Sequence, residues 1–193
     1  MPVRVAINGF GRIGRLTLRA ALESKRKDIE VVAINDLGSV EMNALLLQND
    51  TTHGKFRNKV KVTATGINAG KGVIRVFSER NPEDLPWGKL GIDVVLESTG
   101  IFTRREQAAM HLKAGAKKVL ISAPASNEDL TVVYGINDDK LRKSHTIVSN
   151  ASCTTNCLAP VASVMHRAFG IQQGYMTTIH AYTGDQRILD TLH

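Results

Sequence analysis

Apolar residues fall along this chain in short blocks whose spacing switches between two and about 3.6, the mark of strands alternating with helices. Val3-Arg4-Val5-Ala6-Ile7 reads as a strand, and after a glycine-containing turn Ile13, Leu16 and Ala20 recur at helical spacing. The Val-Val-Ala-Ile run within Glu30 to Asn35 predicts a second strand, so the opening stretch forms one βαβ unit. Further on, Asp93 to Glu97 and Lys118 to Ile121 read as strands and Gln107 to Ala114 as a helix. Alternation of this kind predicts an α/β fold, a mostly parallel, doubly wound sheet covered by helices.

Between these units Val60 to Thr65 and Gly72 to Phe77 are β-rich runs separated by glycines, which predicts a hairpin-like insertion without identifiable chemistry. Thr131 to Gly135 and Thr146 to Ser149 add two strands that lead into a cysteine-containing segment. There Leu158, Ala162, Met165 and Phe169 recur at helical spacing, and Pro160 is expected to kink or split that helix. Tyr175 to Tyr182 is β-rich again and opens a new element, so a domain boundary is placed near Ser149. No internal repeat or low-complexity tract interrupts the pattern.

Composition narrows the class. The chain of 193 residues is 42% hydrophobic and 22% charged, enough for one good core and the start of a second. Met1 to Phe10 lacks the basic and long apolar regions of a secretory signal, and no stretch approaches ~18 consecutive apolar residues. A cytoplasmic protein without a membrane span is therefore expected. The formal charge of +7 raises a nucleic-acid reading, but lysines and arginines are scattered and no run reaches five like charges. Positive sites for small anions are the preferred account.

Gly9-Phe10-Gly11-Arg12-Ile13-Gly14 follows the first strand and opens the first helix. Each glycine has a reason: Gly9 for a tight turn, Gly11 for close approach of a pyrophosphate, and Gly14 for close packing of helix on strand. The phosphates would meet backbone N–H groups at the helix N-terminus. Asp36 stands at the end of the next strand, 22 residues beyond Gly14 and close to the ~20 expected of a ribose-binding acid. A carboxylate there repels a 2′-phosphate and favours NAD over NADP. Thr99, in the glycine turn Ser98-Thr99-Gly100, and Ser122 end two further strands, where ligands of open α/β sheets collect.

Cys153 and Cys157 are the only cysteines, too few and too close for a disulfide framework, and free thiols are expected. Ser152 is a good N-cap, which puts Cys153 in the first turn of a helix, where a thiolate is favoured. Ser152 and Thr154 flank it with hydroxyls suited to an anionic oxygen. A buried structural cysteine is the competing account, and it is the expectation for Cys157. For Cys153 the balance shifts with His180, supplied from a separate element as an activating base would be. The two cysteines lack a matching Cys or His pair at zinc-ligand spacing, so no metal site is expected.

Asn8 to Arg15, Ile34-Asn35-Asp36, Ser149 to Pro160 and Thr177-Thr178-Ile179-His180 resemble the phosphorylating glyceraldehyde-3-phosphate dehydrogenases, along essentially the whole chain. The resemblance implies a Rossmann-type NAD-binding domain over 1–149 and the beginning of an incomplete α+β catalytic domain over 150–193. It implies Cys153 as nucleophile and His180 as its activator, with Phe10, Gly11, Arg12, Ile13, Asp36, Arg80 and Ser122 at the cofactor and Ser152, Thr154 and Thr183 at the substrate. The implied reaction converts glyceraldehyde 3-phosphate and inorganic phosphate to 1,3-bisphosphoglycerate through a thioester on Cys153, in a homotetramer.

Erythrose-4-phosphate dehydrogenase shares the cysteine segment and is the alternative, although Tyr182 to Gln186 is more similar to the glyceraldehyde phosphate enzymes. The family also continues past the position of His193, with further phosphate-binding residues and a helix returning to the cofactor domain. The expectation is either an enzyme seen in part or an NAD-binding fragment without turnover. Strands left unpaired at such an end would be an aggregation hazard.

Overall fold

The computed structural model describes residues 1–24 and 26–182. Strand β1 (Val3–Asn8) leads through the glycine turn into helix α1 (Arg12–Glu23), and β2 (Ile29–Asn35) returns parallel to β1 with Ala6 opposite Ala33 and Ile7 opposite Ile34. Side chains alternate across a strand, so Ile7 and Ile34 enter one core with Leu18, Leu47 and Phe56, while Ala6 and Ala33 enter another with Trp87, Ile92 and Val95. Burial on both faces explains why these strands read as continuous apolar runs.

Helix α2 (Val40–Gln48) follows, capped by Ser39, whose hydroxyl accepts from Met42 N at 3.1 Å. Two short strands, β3 (Asn49–Asp50) and β4 (Gly54–Lys55), pair with each other. Then β5 (Lys61–Thr63), β6 (Gly66–Asn68) and β7 (Val73–Phe77) run antiparallel in sequence, and β7 joins β2 in parallel. The expected hairpin is thus an extension of the main sheet. Strand β8 (Val94–Glu97) crosses back to the other side of β1, and α3 (Arg105–Lys113), β9 (Lys118–Ile121), β10 (Leu130–Thr131) and β11 (Ile147–Ser149) complete the sheet. Its order is β10-β11-β9-β8-β1-β2-β7-β6-β5. The run from β11 to β7 reverses direction at β1, the doubly wound order of a dinucleotide fold. A third core, Ala108, Val119, Ile121 and Ile147, lies under α3.

Helix α4 (Cys153–Phe169) begins the second part of the chain. It is one continuous helix, so Pro160 does not split it: one lost hydrogen bond is carried by intact turns on either side across 17 residues. Its apolar positions do not form the buried face that their periodicity suggests. Leu158, Met165 and Phe169 are exposed, as are Val161 and Val164, because no described element packs over them. Cys157, expected to be buried, is exposed for the same reason. Tyr175 to Tyr182 takes no strand conformation, since among the described residues no strand lies beside it to complete a hydrogen-bonded ladder. The apolar spacing of α1 also misled: Ile13 and Ala20 are exposed, and the helix buries Gly14, Arg15, Leu18 and Arg19. Both arginines are held by carbonyls, Arg15 Nη1 donating to Phe10 O at 2.8 Å and Arg19 Nη2 to Gly54 O at 3.0 Å. No helix among the described residues is long and apolar enough to cross a membrane.

Candidate active site

The glycine turn at the end of β1 divides its labour physically. A Cβ on Gly14 would stand 2.3 Å from Gly9 O and 2.9 Å from Ile7 Cγ2, so helix and strand touch there. A Cβ on Gly11 would meet nothing within 4 Å. Gly11 therefore faces an open crevice at the mouth of α1, a helix with no side-chain cap and no acid in its first turn. Such an N-terminus is suited to a phosphate. Gly9 has φ +88°, the left-handed region that lets β1 turn out of the sheet.

Asp36 stands one residue past β2. Its Oδ2 accepts from Phe10 N at 2.7 Å and its Oδ1 from Gly38 N at 2.9 Å, so the acid also braces the glycine turn. Carboxylate oxygens have further lone pairs for ribose hydroxyls. The ring of Phe10 is packed in the core at 1% exposure, which leaves only its backbone for a ligand. Arg12 pairs with Asp50 (Nη1 to Oδ2, 3.0 Å), and Ile13 is exposed beside it. Asp50 is pulled down to about 2: burial opposes the charge, but the backbone and ring of His53, then Arg12 and the Thr52 N–H, outweigh it.

At the neighbouring strand ends, Thr99 donates from both N and Oγ1 to Glu97 Oε1, and Ser122 N donates to Glu97 O at 2.9 Å. Arg80 is exposed three residues beyond β7. All of these stand at the C-terminal edge of the parallel sheet.

The cysteine segment turns sharply between β11 and α4. Ala151 has φ +61°, an uncommon conformation for a residue with a side chain. It is held by Asn150 N donating to Ile121 O at 2.8 Å and Ala151 N donating to Ser149 Oγ at 3.0 Å. Ser152 Oγ accepts from Thr155 N at 2.9 Å and caps α4, which places Cys153 as its first residue. Cys153 Sγ lies 3.1 Å from His180 Nε2. The other ring nitrogen, Nδ1, donates to Ala181 O at 2.5 Å, so Nε2 is the nitrogen turned to the sulfur.

This contact shifts both groups. The Cys153 thiol is lowered from its ordinary value, first by the hydrogen bond with His180; desolvation opposes this, and the Thr154 N–H and hydroxyl add to the lowering. The His180 imidazole is raised, first by the Ala181 carbonyl and then by the sulfur. The arrangement favours a thiolate beside an imidazolium. Both cysteines are free and exposed. Thr183 lies outside the described residues.

Sequence reasoning passed over several residues that shape these sites. Asn8, Asn35 and Glu97 are buried polar residues, each the last residue of an apolar strand. That position was their signal. Ala151 gave none, because alanine carries no mark of a left-handed turn.

Residues 3–105 match the family model described as glyceraldehyde 3-phosphate dehydrogenase, NAD binding domain, and residues 152–193 match the C-terminal domain of the same family. The whole chain aligns with proteins named glyceraldehyde-3-phosphate dehydrogenase from Xanthobacter flavus (64% identical, 58% of the relative covered) and Geobacillus stearothermophilus (58% identical, 57% covered). A relative of that name from Thermotoga maritima is 56% identical over 98% of this chain and 57% of its own length. The chain thus spans about 58% of the length of the curated relatives it matches. With an NAD-type crevice at the head of its sheet and a cysteine–histidine pair at the head of α4, the chain belongs to the glyceraldehyde 3-phosphate dehydrogenase family.

Proposed function

We propose that the protein carrying this chain oxidises glyceraldehyde 3-phosphate to 1,3-bisphosphoglycerate with inorganic phosphate, through a thioester on Cys153. The observation that carries this reading is the 3.1 Å approach of His180 Nε2 to Cys153 Sγ at a helix N-terminus. The names of the relatives support the glyceraldehyde over the erythrose phosphate substrate.

NAD, held by the Gly9 to Gly14 turn and Asp36 with Thr99, Ser122 and Arg80 around it, supplies the acceptor for hydride. The Cys153 thiolate adds to the aldehyde carbon, forming a C–S bond and an alkoxide that His180 Nε2 protonates. His180 takes that hydroxyl proton back as the carbon loses hydride and becomes a thioester. Thr154 and Ser152 border the carbon's oxygen and the incoming anion. A phosphate oxygen then attacks the thioester carbon, the C–S bond breaks, and Cys153 leaves as the thiolate. Thr183 is proposed at the same substrate. A reduced thiol at the centre of the cycle suits a cytoplasmic protein, and the family relationship supports a homotetramer.

The test is NADH formation from glyceraldehyde 3-phosphate by the purified protein. It should require inorganic phosphate, disappear in Cys153→Ser, and leave NAD binding by that variant intact. NADH formation that persists in Cys153→Ser would sink the thioester reading. If a 193-residue protein bound NAD without turnover, the activity would belong to a longer protein.

A further inference from the structure

Three strand ends at the crevice carry buried polar side chains in register: Asn35 on β2, Asn8 on β1 and Glu97 on β8. Glu97 is 1% exposed, and its carboxylate is fully engaged. Oε2 accepts from Asn8 Nδ2 at 2.6 Å and from His111 Nε2 at 2.9 Å, while Oε1 accepts from the amide and the hydroxyl of Thr99. Asn8 Oδ1 in turn accepts from Asn35 Nδ2 at 2.7 Å.

The donor–acceptor order in this network is fixed by tryptophan chemistry. The indole of Trp87 can only donate, and its Nε1 lies 3.0 Å from His111 Nδ1. Nδ1 therefore accepts, Nε2 carries the hydrogen, and His111 is a neutral imidazole donating to Glu97. Every group around the carboxylate is a donor.

The network bears directly on the crevice. Ser98 Oγ donates to Gly9 O at 2.7 Å, and a Cβ on Gly9 would stand 2.7 Å from Thr99 N. The turn after β8 is thus stitched against the glycine turn after β1, and Glu97 holds its far side through Thr99. With pyrophosphate over the end of β1 and the adenosine ribose at Asp36 on the β2 side, the other nucleoside lies over β8. That is also the side of β11 and Cys153.

We propose that Glu97 is a positioning residue for the nicotinamide half of the dinucleotide, acting through the Thr99 turn. The proposal rests on the NAD-site reading above.

The experiment compares NAD with 5′-AMP, which occupies only the adenosine side, by calorimetry on the parent protein and on Glu97→Gln. The amide turns a donor onto donors whichever way it faces. NAD affinity is expected to fall about tenfold while 5′-AMP affinity stays unchanged, and the emission of Trp87, the only tryptophan, shifts as its His111 partner moves. Asn8→Asp combined with Glu97→Gln moves the carboxylate to the neighbouring strand end, where it accepts from Asn35 and from the new amide, leaves the amide oxygen to Thr99, and should restore NAD affinity. Should Glu97→Gln not fold, Glu97→Asp keeps the charge but draws the carboxylate back from Thr99 and should lower NAD affinity several-fold with 5′-AMP unchanged. A folded Glu97→Gln, or in its place Glu97→Asp, that binds NAD as the parent does, or loses both ligands equally, overturns the proposal. A parent protein that binds neither ligand overturns the NAD-site reading itself, and this proposal with it.

Discussion

Cys153 and Cys157 share a helix and are both exposed, yet among the described residues only Cys153 faces a histidine. Exposure cannot separate their reactivities, so any difference measures activation. Alkylation of Cys153 by iodoacetamide should therefore outpace that of Cys157 at neutral pH, because the lowered Cys153 thiol gives up its proton more readily. The Cys153 rate should fall as acidification protonates its thiolate. His180→Gln removes the largest cause of the shift, and the Cys153 rate at neutral pH should fall about tenfold toward that of Cys157. Peptide mapping of the labelled chain reads both rates at once, and equal rates in the unaltered protein would show the thiol unactivated. The motif around Cys153 was legible in the sequence because an N-cap serine and a helix-start cysteine are local features. The αL turn at Ala151 and the carbonyl that orients His180 were not, since they arise from how β11 and the 171–182 segment are placed.

At the scale of elements, the glycine turn shows how two residues of one type serve different ends. Gly14→Ala would push α1 off β1, since backbone oxygen cannot yield 2.3 Å of approach without movement. A loss of about 1–3 kcal/mol in unfolding free energy is expected. Gly11→Ala adds a methyl group to open space at an ordinary φ of −68°, so its stability should stay within about 0.5 kcal/mol of the parent. Its NAD affinity should fall, because that methyl group occupies the phosphate's approach. Denaturant melts paired with NAD titration give both quantities, and the reverse pattern would refute the division. The strands β1, β2, β8 and β9 could be read from sequence because each carries a short run of mostly aliphatic residues, buried most fully toward the centre of the sheet. Helix α2 was missed: its Ala44-Leu45-Leu46-Leu47 run has no period, and its stop is a strand that begins at Asn49. The face of α1 was misjudged because two buried arginines, each donating to a backbone carbonyl, look like surface residues in sequence.

Across the whole molecule, burial is divided unevenly. All three apolar cores lie among residues that precede α4, while α4 itself buries no residue. What attaches α4 is its first turn: Asn156 Nδ2 donates to Asn150 O at 2.7 Å and to Ser152 O at 2.9 Å, beside the Ser152 cap. A helix without tertiary packing keeps only its own marginal hydrogen bonds. Hydrogen exchange on the 193-residue polypeptide should therefore be slow in β1, β2, β8 and β9 and faster by orders of magnitude from Leu158 to Phe169. The Ser152 to Asn156 turn should be intermediate, because side-chain bonds rather than a core hold it. NAD, bound at strands that are already protected, should slow exchange around Gly9 to Gly14 and Ser98 to Gly100 without changing the second half of α4. Equal protection of α4 and the central strands would mean that a surface not evident in the described residues covers Val161, Val164 and Phe169. The nucleotide crevice would then remain a property of the sheet, but the placement of Cys153 would depend on that cover as well as on the αL turn before it.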